Sequence, residues 1–286
     1  MHIPVMLNES LEQLAIRPDG VYVDATAGLG GHTGAIASRL ETGFVVALDR
    51  DAESLAMAKQ NTAAWSERIR FGQARFSELR QALAAWGLET VDGILADLGV
   101  SRYQLTEPER GFSLAAAGPL DMRMDRSEAV TAAELTNTMS EKELADLIYH
   151  LGEEGRSRQI ARAIVRARPI RDTLHLAQVV EAAMPRTGRL HPATKTFMAL
   201  RRAVNRETEE LDSLLENAPG LLRSGGRMAV ITFMSLEDRQ VKEAFRRLSQ
   251  QGRARLLTKH VIKPSEDETR ANPAARSAKL RAVEMK

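Results

Sequence analysis

A glycine-rich turn followed by an acidic residue is the part of this sequence with the clearest chemical pattern. Residues 21–25 form an apolar run of strand type, and Gly28, Gly30 and Gly31 follow it directly. Glycine permits positive φ and lets a ligand approach the backbone closely. A second apolar run, residues 44–48, ends at Asp49, where a carboxylate can accept hydrogen bonds from both hydroxyls of a ribose. The pattern predicts a nucleoside site, although an ordinary strand-to-helix turn fits the glycines about equally well.

Two details indicate which nucleoside this turn would bind. A dinucleotide fingerprint G-x-G-x-x-G requires a third glycine at position 33, and Thr33 stands there, which disfavours NAD and FAD. S-adenosylmethionine has no pyrophosphate and carries a sulfonium cation, so an acidic, glycine-lined cleft suits it. Asp49 is the predicted ribose ligand; Asp51 competes for that role but fits a helix N-cap better. Asp24 either adds negative charge to the cleft or caps a helix.

A further strand-like run, residues 91–96, ends in Asp97 and a turn. Ligands of open α/β sheets bind at this carboxyl edge. Methyl transfer to an exocyclic amine needs an acceptor for the amino proton and a group that aligns the nitrogen lone pair, because positioning supplies much of the rate. Asp97 is therefore the predicted catalytic residue. That it only binds the cofactor or caps the next turn is an equal alternative at this point.

The elements that position these residues follow an α/β pattern. Strands are predicted at residues 21–25, 44–48, 69–72, 91–96 and 227–233, and residues 278–285 alternate like a late antiparallel strand after the segment 255–262. Helices are predicted at residues 34–40, 52–64, 76–86, 207–222 and 236–250, the fourth of them closed by Ser224-Gly225-Gly226. This alternation predicts βαβ units and a parallel sheet. Trp65 and Trp86, near two helix ends, are assigned to packing.

The middle of the chain lacks strand patterns. Helices are predicted there at residues 132–135, 141–151, 156–167, 174–184 and 196–206, separated by the breakers Pro169, Pro185, Gly188 and Pro192. The sequence thus predicts a sheet domain made of residues 1–105 and 207–286, split by a helical insertion of residues 106–206.

Composition excludes several classes of function. The formal net charge is only +2, from 40 Lys and Arg against 38 Asp and Glu, so bulk charge is a weak argument for nucleic acid. No apolar stretch reaches the ~20 residues of a membrane span, and residues 1–4 lack a signal-peptide pattern. The absence of cysteine excludes disulfides and thiolate metal sites. We expect a cytoplasmic protein with no membrane partner and no metal.

Local clusters of basic residues are the candidates for RNA contact. Arg158, Arg162 and Arg166 share one helix face, which fits phosphate contacts or a solvated face. Residues 191–197, with His191 and Lys195, and the following Arg201 and Asn205 resemble a substrate loop or a plain interhelical connection. The tail 270–281, with Arg276, Lys279 and Arg281, fits phosphate contacts or a basic edge strand.

Many long motifs in the same order resemble the ribosomal RNA small subunit methyltransferase H family, nearly end to end. The matching motifs are residues 2–7, 24–32, 48–51, 97–101, 109–113, 118–125, 191–197, 235–239 and 272–282. By this resemblance the fold is a class I, Rossmann-like methyltransferase sheet with a helical insertion. The family's cofactor contacts map onto Gly30, Gly31, His32, Asp49, Phe76, Asp97 and Gln104. Without the resemblance, Phe76 is interpreted as a core aromatic and His32 as a helix-start residue.

The resemblance implies S-adenosylmethionine-dependent methylation of N4 of a cytidine in the decoding region of small-subunit (16S) ribosomal RNA. The implied partner is that RNA or the assembled small subunit, and a homodimer stays open. The cytidine must leave its stack to present N4, which predicts a base-flipping or single-strand mode. Arg102-Tyr103 and Met234 depart from the family pattern, and residues 125–135 match it loosely. Tyr103 fits a stacking platform for the base or a surface substitution.

Two other functions remain open from the sequence. One is a methyltransferase that acts on another acceptor; a DNA amino-methyltransferase is expected to carry an Asp/Asn/Ser-Pro-Pro-Tyr turn after the fourth strand, and residues 97–100 are Asp-Leu-Gly-Val. The other is a non-catalytic RNA-binding protein on a methyltransferase scaffold. Intact Gly30, Gly31, Asp49 and Asp97 argue against that second reading.

Overall fold

The structure, a computed structural model, describes residues 4–184 and 191–286. His2 and Ile3 of the first motif, and the predicted breakers Pro185 and Gly188, lie outside the described residues. The chain divides into two compact units, one of Met1–Gly99 with Thr208–Lys286 and one of Val100–Glu207. The sequence placed the boundaries after residues 105 and 206; the units change after Gly99 and Glu207.

Seven strands and thirteen α-helices are seen among the described residues. The strands are β1 Val21–Asp24, β2 Phe44–Asp49, β3 Ile69–Gln73, β4 Val91–Asp97, β5 Leu222–Thr232, β6 Ala254–Leu256 and β7 Lys279–Met285. The helices are α1 Leu7–Leu14, α2 Gly31–Ala37, α3 Ala52–Asn61, α4 Leu79–Ala84, α5 Arg102–Thr106, α6 Ala132–Thr138, α7 Glu141–Gly152, α8 Ser157–Ala167, α9 Thr173–Ala183, α10 Thr194–Val204, α11 Glu207–Asn217, α12 Ser235–Gln250 and α13 Glu266–Ala271.

The first unit is a seven-stranded sheet in the order β3-β2-β1-β4-β5-β7-β6. Strands β1 to β5 pair in parallel, and β7 pairs antiparallel with both β5 and β6. The predicted fold class, α/β with a Rossmann-like methyltransferase sheet, is confirmed. Because β1 lies between β2 and β4, the chain runs outward from β1 in both directions, and this reversal places the carboxyl end of β1 at the position where such sheets bind ligands.

Side chains that alternate along the central strands build a core on each face of the sheet. Val23 and Val46 point to one face, where α4, α11 and α12 contribute residues. Tyr22 and Val45 point to the other, against α1 and α2. Since both faces are covered, the central strands β1, β2 and β4 are mostly apolar. Trp86 packs against the first core and Trp65 against the second, which confirms the prediction that both tryptophans serve packing.

Several predicted helices end elsewhere because turns interrupt them. The helix predicted at residues 207–222 stops at Asn217, a 3-10 turn with Pro219 follows, and β5 already begins at Leu222. Ser224-Gly225-Gly226 does not close a helix; it lies within β5, where the pairing with β4 shifts register and Gly225 has a φ of 78°. The helix predicted at residues 76–86 divides into a 3-10 turn, Phe76–Glu78, and α4.

The carboxyl-terminal strand is not an edge strand, contrary to one of the two predictions for the tail. β7 lies between β5 and β6, so β6 forms the edge. The side chain of Arg281 is buried and donates two hydrogen bonds to Asp238, at 2.7 and 3.2 Å. This ion pair withdraws Arg281 from any phosphate contact.

The second unit contains α5 to α10 and no strand among its described residues. Its core includes one face of α8, formed by Ile160, Ala161 and Ile164. The opposite face of α8 carries exposed arginines. Capping residues begin several of these helices, as at Ser140, whose hydroxyl accepts the amide hydrogen of Glu143 at the start of α7. No helix in the described part of the chain is long and apolar enough to cross a membrane.

Candidate active site

The glycine turn joins β1 to α2 at the carboxyl edge of the sheet. Gly28 and Gly30 adopt φ of 51° and 87°, and Gly30 is the N-cap of α2. A Cβ at Gly30 would lie 2.8 Å from the methyl of Thr62, and a Cβ at Gly31 would collide with Pro4. At Gly28 a Cβ would meet only the carbonyl oxygen of Thr26, at 3.8 Å. Gly30 and Gly31 are therefore required by packing, whereas Gly28 borders open space.

Asp49 and Asp51 have separate tasks. Asp51 is the N-cap of α3 and accepts the amide hydrogens of Glu53 and Ser54, so its predicted capping role is confirmed. The two carboxylate oxygens of Asp49 accept hydrogen bonds from the amides of Gly28, at 2.8 Å, and Asp51, at 2.9 Å. Burial raises the pKa of Asp49 to about 6, and these two hydrogen bonds oppose that rise. Asp49 thus ties the glycine turn to the end of β2.

Asp24 is a fully buried carboxylate at the end of β1. It accepts the hydroxyl hydrogen of Thr33 at 2.6 Å and the amide hydrogen of Thr26 at 3.2 Å. It does not cap α2, because Gly30 occupies the N-cap. Burial raises the pKa of Asp24. Thr33, which stands where a dinucleotide fingerprint has its third glycine, therefore anchors Asp24. The sequence analysis missed this role. The available signal was a hydroxyl side chain in the first turn of α2.

Asp97 closes β4 beside the same turn. Its amide donates to the hydroxyl of Thr26 at 2.7 Å, which fixes the end of β4 against the end of β1. Within residues 4–184 and 191–286, its Oδ1 is buried without a hydrogen-bond partner, and its Oδ2 lies 3.8 Å from Nδ1 of His32. Burial, and secondarily the charge of Asp24, raises the pKa of Asp97 well above its ordinary value.

His32 is buried on the first turn of α2. Its Nε2 lies 3.1 Å from the carbonyl oxygen of Val5. Asp24 and His32, both buried, and Asp97, whose side chain is 23% exposed, form one group of ionisable side chains. No set of three or more His, Cys, Asp or Glu side chains that could hold a metal ion is found in the described ranges.

Phe76 and Gln104, both predicted cofactor contacts, lie on different units. Phe76 begins the 3-10 turn after β3 and packs partly against the sheet core. The neighbouring Ser77 is held by Glu210 of α11, which accepts from its amide and its hydroxyl at 2.9 and 3.0 Å. Gln104 belongs to the second unit, where its side-chain oxygen accepts the amide hydrogen of Ser101 at 2.9 Å in a capping box.

Three predicted RNA contacts form an exposed row on α8, which we call the arginine row: Arg158, Arg162 and Arg166. Arg162 reaches Glu141 at 3.3 Å, yet both side chains are largely in water, so this pair holds the arginine only weakly. Lys195 is partly buried, with 45% of its side chain exposed; its Nζ donates to the carbonyl of Glu153 at 2.8 Å and lies 3.8 Å from Glu154. These four side chains remain accessible.

Four other predicted RNA contacts have partners inside the second unit. Asn205 is 1% exposed, and its amide group binds the backbone of Met122, Met124 and Arg201. The side chain of Arg201, 14% exposed, forms a two-fold ion pair with Glu207 at 2.7 and 2.8 Å. We therefore assign Asn205 and Arg201 to the architecture of the unit. The other two of these four predicted RNA contacts are Tyr103, whose ring lies 5.9 Å from the guanidinium of Arg110, and His191, which lies 3.6 Å from Glu181.

The departure from the family pattern at Met234 falls on a structural position. Met234 is the N-cap of α12 and is 9% exposed. Its amide and that of Phe233 donate to Glu237, each at 3.1 Å. The adjoining Asp238 binds Arg281. The motif at residues 235–239 therefore begins α12 and fastens it to β7.

The sheet order, the glycine turn and the acids at the ends of three adjacent strands define the class of Rossmann-like methyltransferases that use S-adenosylmethionine. The family profile described as "MraW methylase family" matches residues 1–286. The chain belongs to the MraW methylase family.

Curated relatives agree with this assignment, and a solved structure agrees with the fold. The chain is 66% identical over its whole length, and that of the relative, to "Ribosomal RNA small subunit methyltransferase H" of Solibacter usitatus. It is 50% identical to the protein of the same name from Acidobacterium capsulatum, covering 100% of this chain and 98% of that one. A solved structure from Clostridium thermocellum has a TM-score of 0.52 at 13% identity, with both chains fully covered; at that identity it supports the fold alone.

Proposed function

We propose that this protein transfers the methyl group of S-adenosylmethionine to the exocyclic N4 of a cytidine in the decoding region of small-subunit ribosomal RNA. The observation that carries the proposal is the end-to-end identity of 66% to a relative named for methylation of that RNA. The acids at the ends of β2, β1 and β4 provide the chemistry such a reaction requires at one edge of the sheet.

The first unit fits S-adenosylmethionine at two points. The Oδ1 atom of Asp97 is buried with no partner in the described chain, and burial of an unpaired carboxylate oxygen is costly unless a ligand supplies a charge or a donor. The backbone at Gly28 faces open space, where a ligand can approach. Asp49 would hold the ribose hydroxyls through lone pairs left over from its two amide contacts. Gly30, Gly31, His32 and Phe76 would complete the contacts from this unit.

When bound, S-adenosylmethionine supplies an electrophilic methyl group. Asp97 would accept a hydrogen bond from the amino group of the cytidine, which orients the nitrogen lone pair toward that methyl and gives the leaving proton an acceptor. A cation beside Asp97 favours its carboxylate form, because an opposite charge within a few ångströms lowers the pKa of an acid. Burial raises the pKa of Asp97, and the positive charge of bound S-adenosylmethionine would lower it again.

The second unit offers the surface for RNA. The arginine row and Lys195 are accessible cations on its helices, and such side chains bind phosphates and fix the register of a nucleic acid without reading its sequence. We propose that they hold the RNA backbone. Tyr103 is the proposed aromatic platform for the displaced base. Gln104 as a cofactor contact stays a prediction.

The test uses small ribosomal subunits that lack the modification. They are incubated with the protein and methyl-labelled S-adenosylmethionine, in parallel with naked small-subunit RNA, and the labelled nucleotide is mapped. Wild type is expected to label N4 of one cytidine. Asp97→Asn should abolish labelling while S-adenosylhomocysteine still binds, and the exposed control Asp267→Asn should behave as wild type.

Other results would replace the proposal. A label on another nucleotide or on DNA would assign a different acceptor. Absence of S-adenosylmethionine binding by calorimetry would favour a non-catalytic RNA-binding protein. Full activity of Asp97→Asn would remove that carboxylate from the mechanism.

A further inference from the structure

The imidazole of His32 is placed by two contacts on opposite sides of its ring. Its Nε2 lies 3.1 Å from the carbonyl oxygen of Val5. A carbonyl can only accept, so Nε2 carries a hydrogen in this contact. In the neutral ring, Nδ1 is then the basic nitrogen, and Nδ1 is the atom that approaches Oδ2 of Asp97 at 3.8 Å. The Val5 carbonyl thereby selects the tautomer.

Asp97 and His32 thus present a carboxyl oxygen and a basic ring nitrogen to each other. Both atoms are acceptors when neither carries a proton, so a proton held by the pair makes their approach favourable. The separation of 3.8 Å is longer than a direct hydrogen bond, and contacts of this kind tighten or enclose one water when substrates bind.

Within residues 4–184 and 191–286, the other ionisable groups seen near this pair are acidic. Asp24 faces it from β1, with both oxygens already hydrogen-bonded to Thr26 and Thr33. Asp49 lies on the next strand, β2. On the side of the N-terminal segment, Glu268 accepts the amide hydrogen of Met6. A proton or a ligand cation is therefore the charge that this surrounding favours.

We propose that Asp97 and His32 act as a proton-storing pair that exchanges its proton against the sulfonium charge of the cofactor. This inference rests on the proposed function. Binding of the cation displaces the proton from the pair. During transfer the amine lone pair forms the new N–C bond, the electron pair of the S–C bond stays on sulfur, and the amino proton passes to Asp97 and is shared with Nδ1 of His32. The positive charge lost from sulfur reappears as that proton, so the net charge of the buried site stays constant.

His32 acts through Asp97 in this scheme and is a positioning residue. The test that does not require turnover compares two ligands that differ at sulfur. Calorimetry in buffers of different ionisation enthalpy counts the protons released when S-adenosylmethionine, and separately the neutral S-adenosylhomocysteine, binds between pH 5.5 and 9. Wild type should release more protons with the sulfonium ligand, by a fraction approaching one proton at its maximum.

Three variants localise the effect. Asp97→Asn should abolish the difference between the two ligands. In His32→Gln the side-chain amide can still donate to Val5, but no basic nitrogen faces Asp97. The pH at which the two ligands differ most in proton release should therefore fall by about one unit or more. The kcat of this variant should fall about 100-fold. His260→Gln, an exposed histidine of the same unit, should match wild type.

Two results would overturn the inference: equal proton release with both ligands in wild type, or a His32→Gln profile identical to that of wild type. If His32→Gln does not fold, nitrogen NMR of the wild-type imidazole decides, because Nδ1 should respond to the sulfonium ligand and not to S-adenosylhomocysteine. Should the wild type bind both ligands as expected yet methylate no cytidine, the proposed function fails and the proton-storing pair stands.

Discussion

Because of Asp49, the affinity for the cofactor should fall as the pH is lowered through about 6. Burial places its pKa at about 6, and only the carboxylate can accept hydrogen bonds from both ribose hydroxyls. With that pKa about one tenth of the free protein is ionised at pH 5, so the Kd should be roughly tenfold higher at pH 5 than at pH 8, about 1.4 kcal/mol. Above pH 7 the Kd should be constant.

The assay is isothermal calorimetry with S-adenosylhomocysteine, whose neutral sulfur avoids the proton exchange proposed for Asp97. In Asp49→Asn the step near pH 6 should vanish. At pH 8 this variant should bind about 10- to 100-fold more weakly, since hydrogen bonds to a charged acceptor are worth about 1.5–3 kcal/mol. A Kd that does not change between pH 5 and 8 in wild type, or the same step in Asp49→Asn, would refute the assignment.

The same pKa has a consequence for stability in the absence of ligand. The folded state holds the proton of Asp49 more tightly than the unfolded chain, whose usual value is 3.8. Ionised Asp49 therefore lowers the free energy of unfolding above pH 6, by at most about 3 kcal/mol for a difference from 3.8 to about 6. That loss disappears as the pH falls from 6 toward 4. In chemical denaturation of the ligand-free protein, Asp49 should therefore make the free energy of unfolding about 1.3 kcal/mol lower at pH 7 than at pH 5.

Three further predictions concern the architecture and the RNA surface. Asn205→Ala should lower the free energy of unfolding by about 2–4 kcal/mol in a urea titration, because it leaves a buried amide and carbonyl without partners; a loss of RNA affinity without a loss of stability would contradict this. Asp238→Asn should cost about 2–4 kcal/mol in the same assay since it leaves Arg281 buried and unpaired, whereas Asp267→Asn, from an ion pair in water, should change stability by less than about 0.5 kcal/mol. Alanine at all three positions of the arginine row should reduce the slope of log affinity for small-subunit RNA against log salt by up to about 3, with cofactor affinity unchanged; an unchanged slope would exclude phosphate contacts there.

The strands, helix caps and turns whose residue types depend on a few neighbouring positions could be predicted from the sequence. The central parallel strands β1, β2 and β4 are mostly apolar because both sheet faces are covered, and Asp51 was recognisable as an N-cap from its position before a helix. The glycine turn and the strand-end acids were found for the same reason. Their residue types and spacing are imposed by backbone conformation over a few residues.

The features that escaped prediction depend on partners far away in sequence. Asn205 binds the backbone of Met122 and Met124, more than 80 positions earlier, so its side chain could be mistaken for a free amide on a basic helix. Arg281 is neutralised by Asp238, 43 residues away. The position of β7 inside the sheet depends on β6, which has only three residues and no strong strand pattern. Pairing partners of this kind are fixed by tertiary structure.

The partners of the acidic residues in the first unit distinguish acids that stabilise the fold from acids that are candidates for ligand binding. Asp238 is balanced by Arg281 and Asp51 by the amides of α3, as expected for acids that stabilise a structure. Within the described ranges, Asp24, Asp49 and Asp97 have no Lys or Arg partner, His32 is the basic group near Asp97, and burial raises the pKa of each acid. They end three neighbouring strands, where strand spacing is only about 4.8 Å. Acids crowded in this way destabilise the fold when they are ionised together, and we expect a ligand with a positive sulfur and two ribose hydroxyls to relieve Asp97 with a charge and Asp49 with donors.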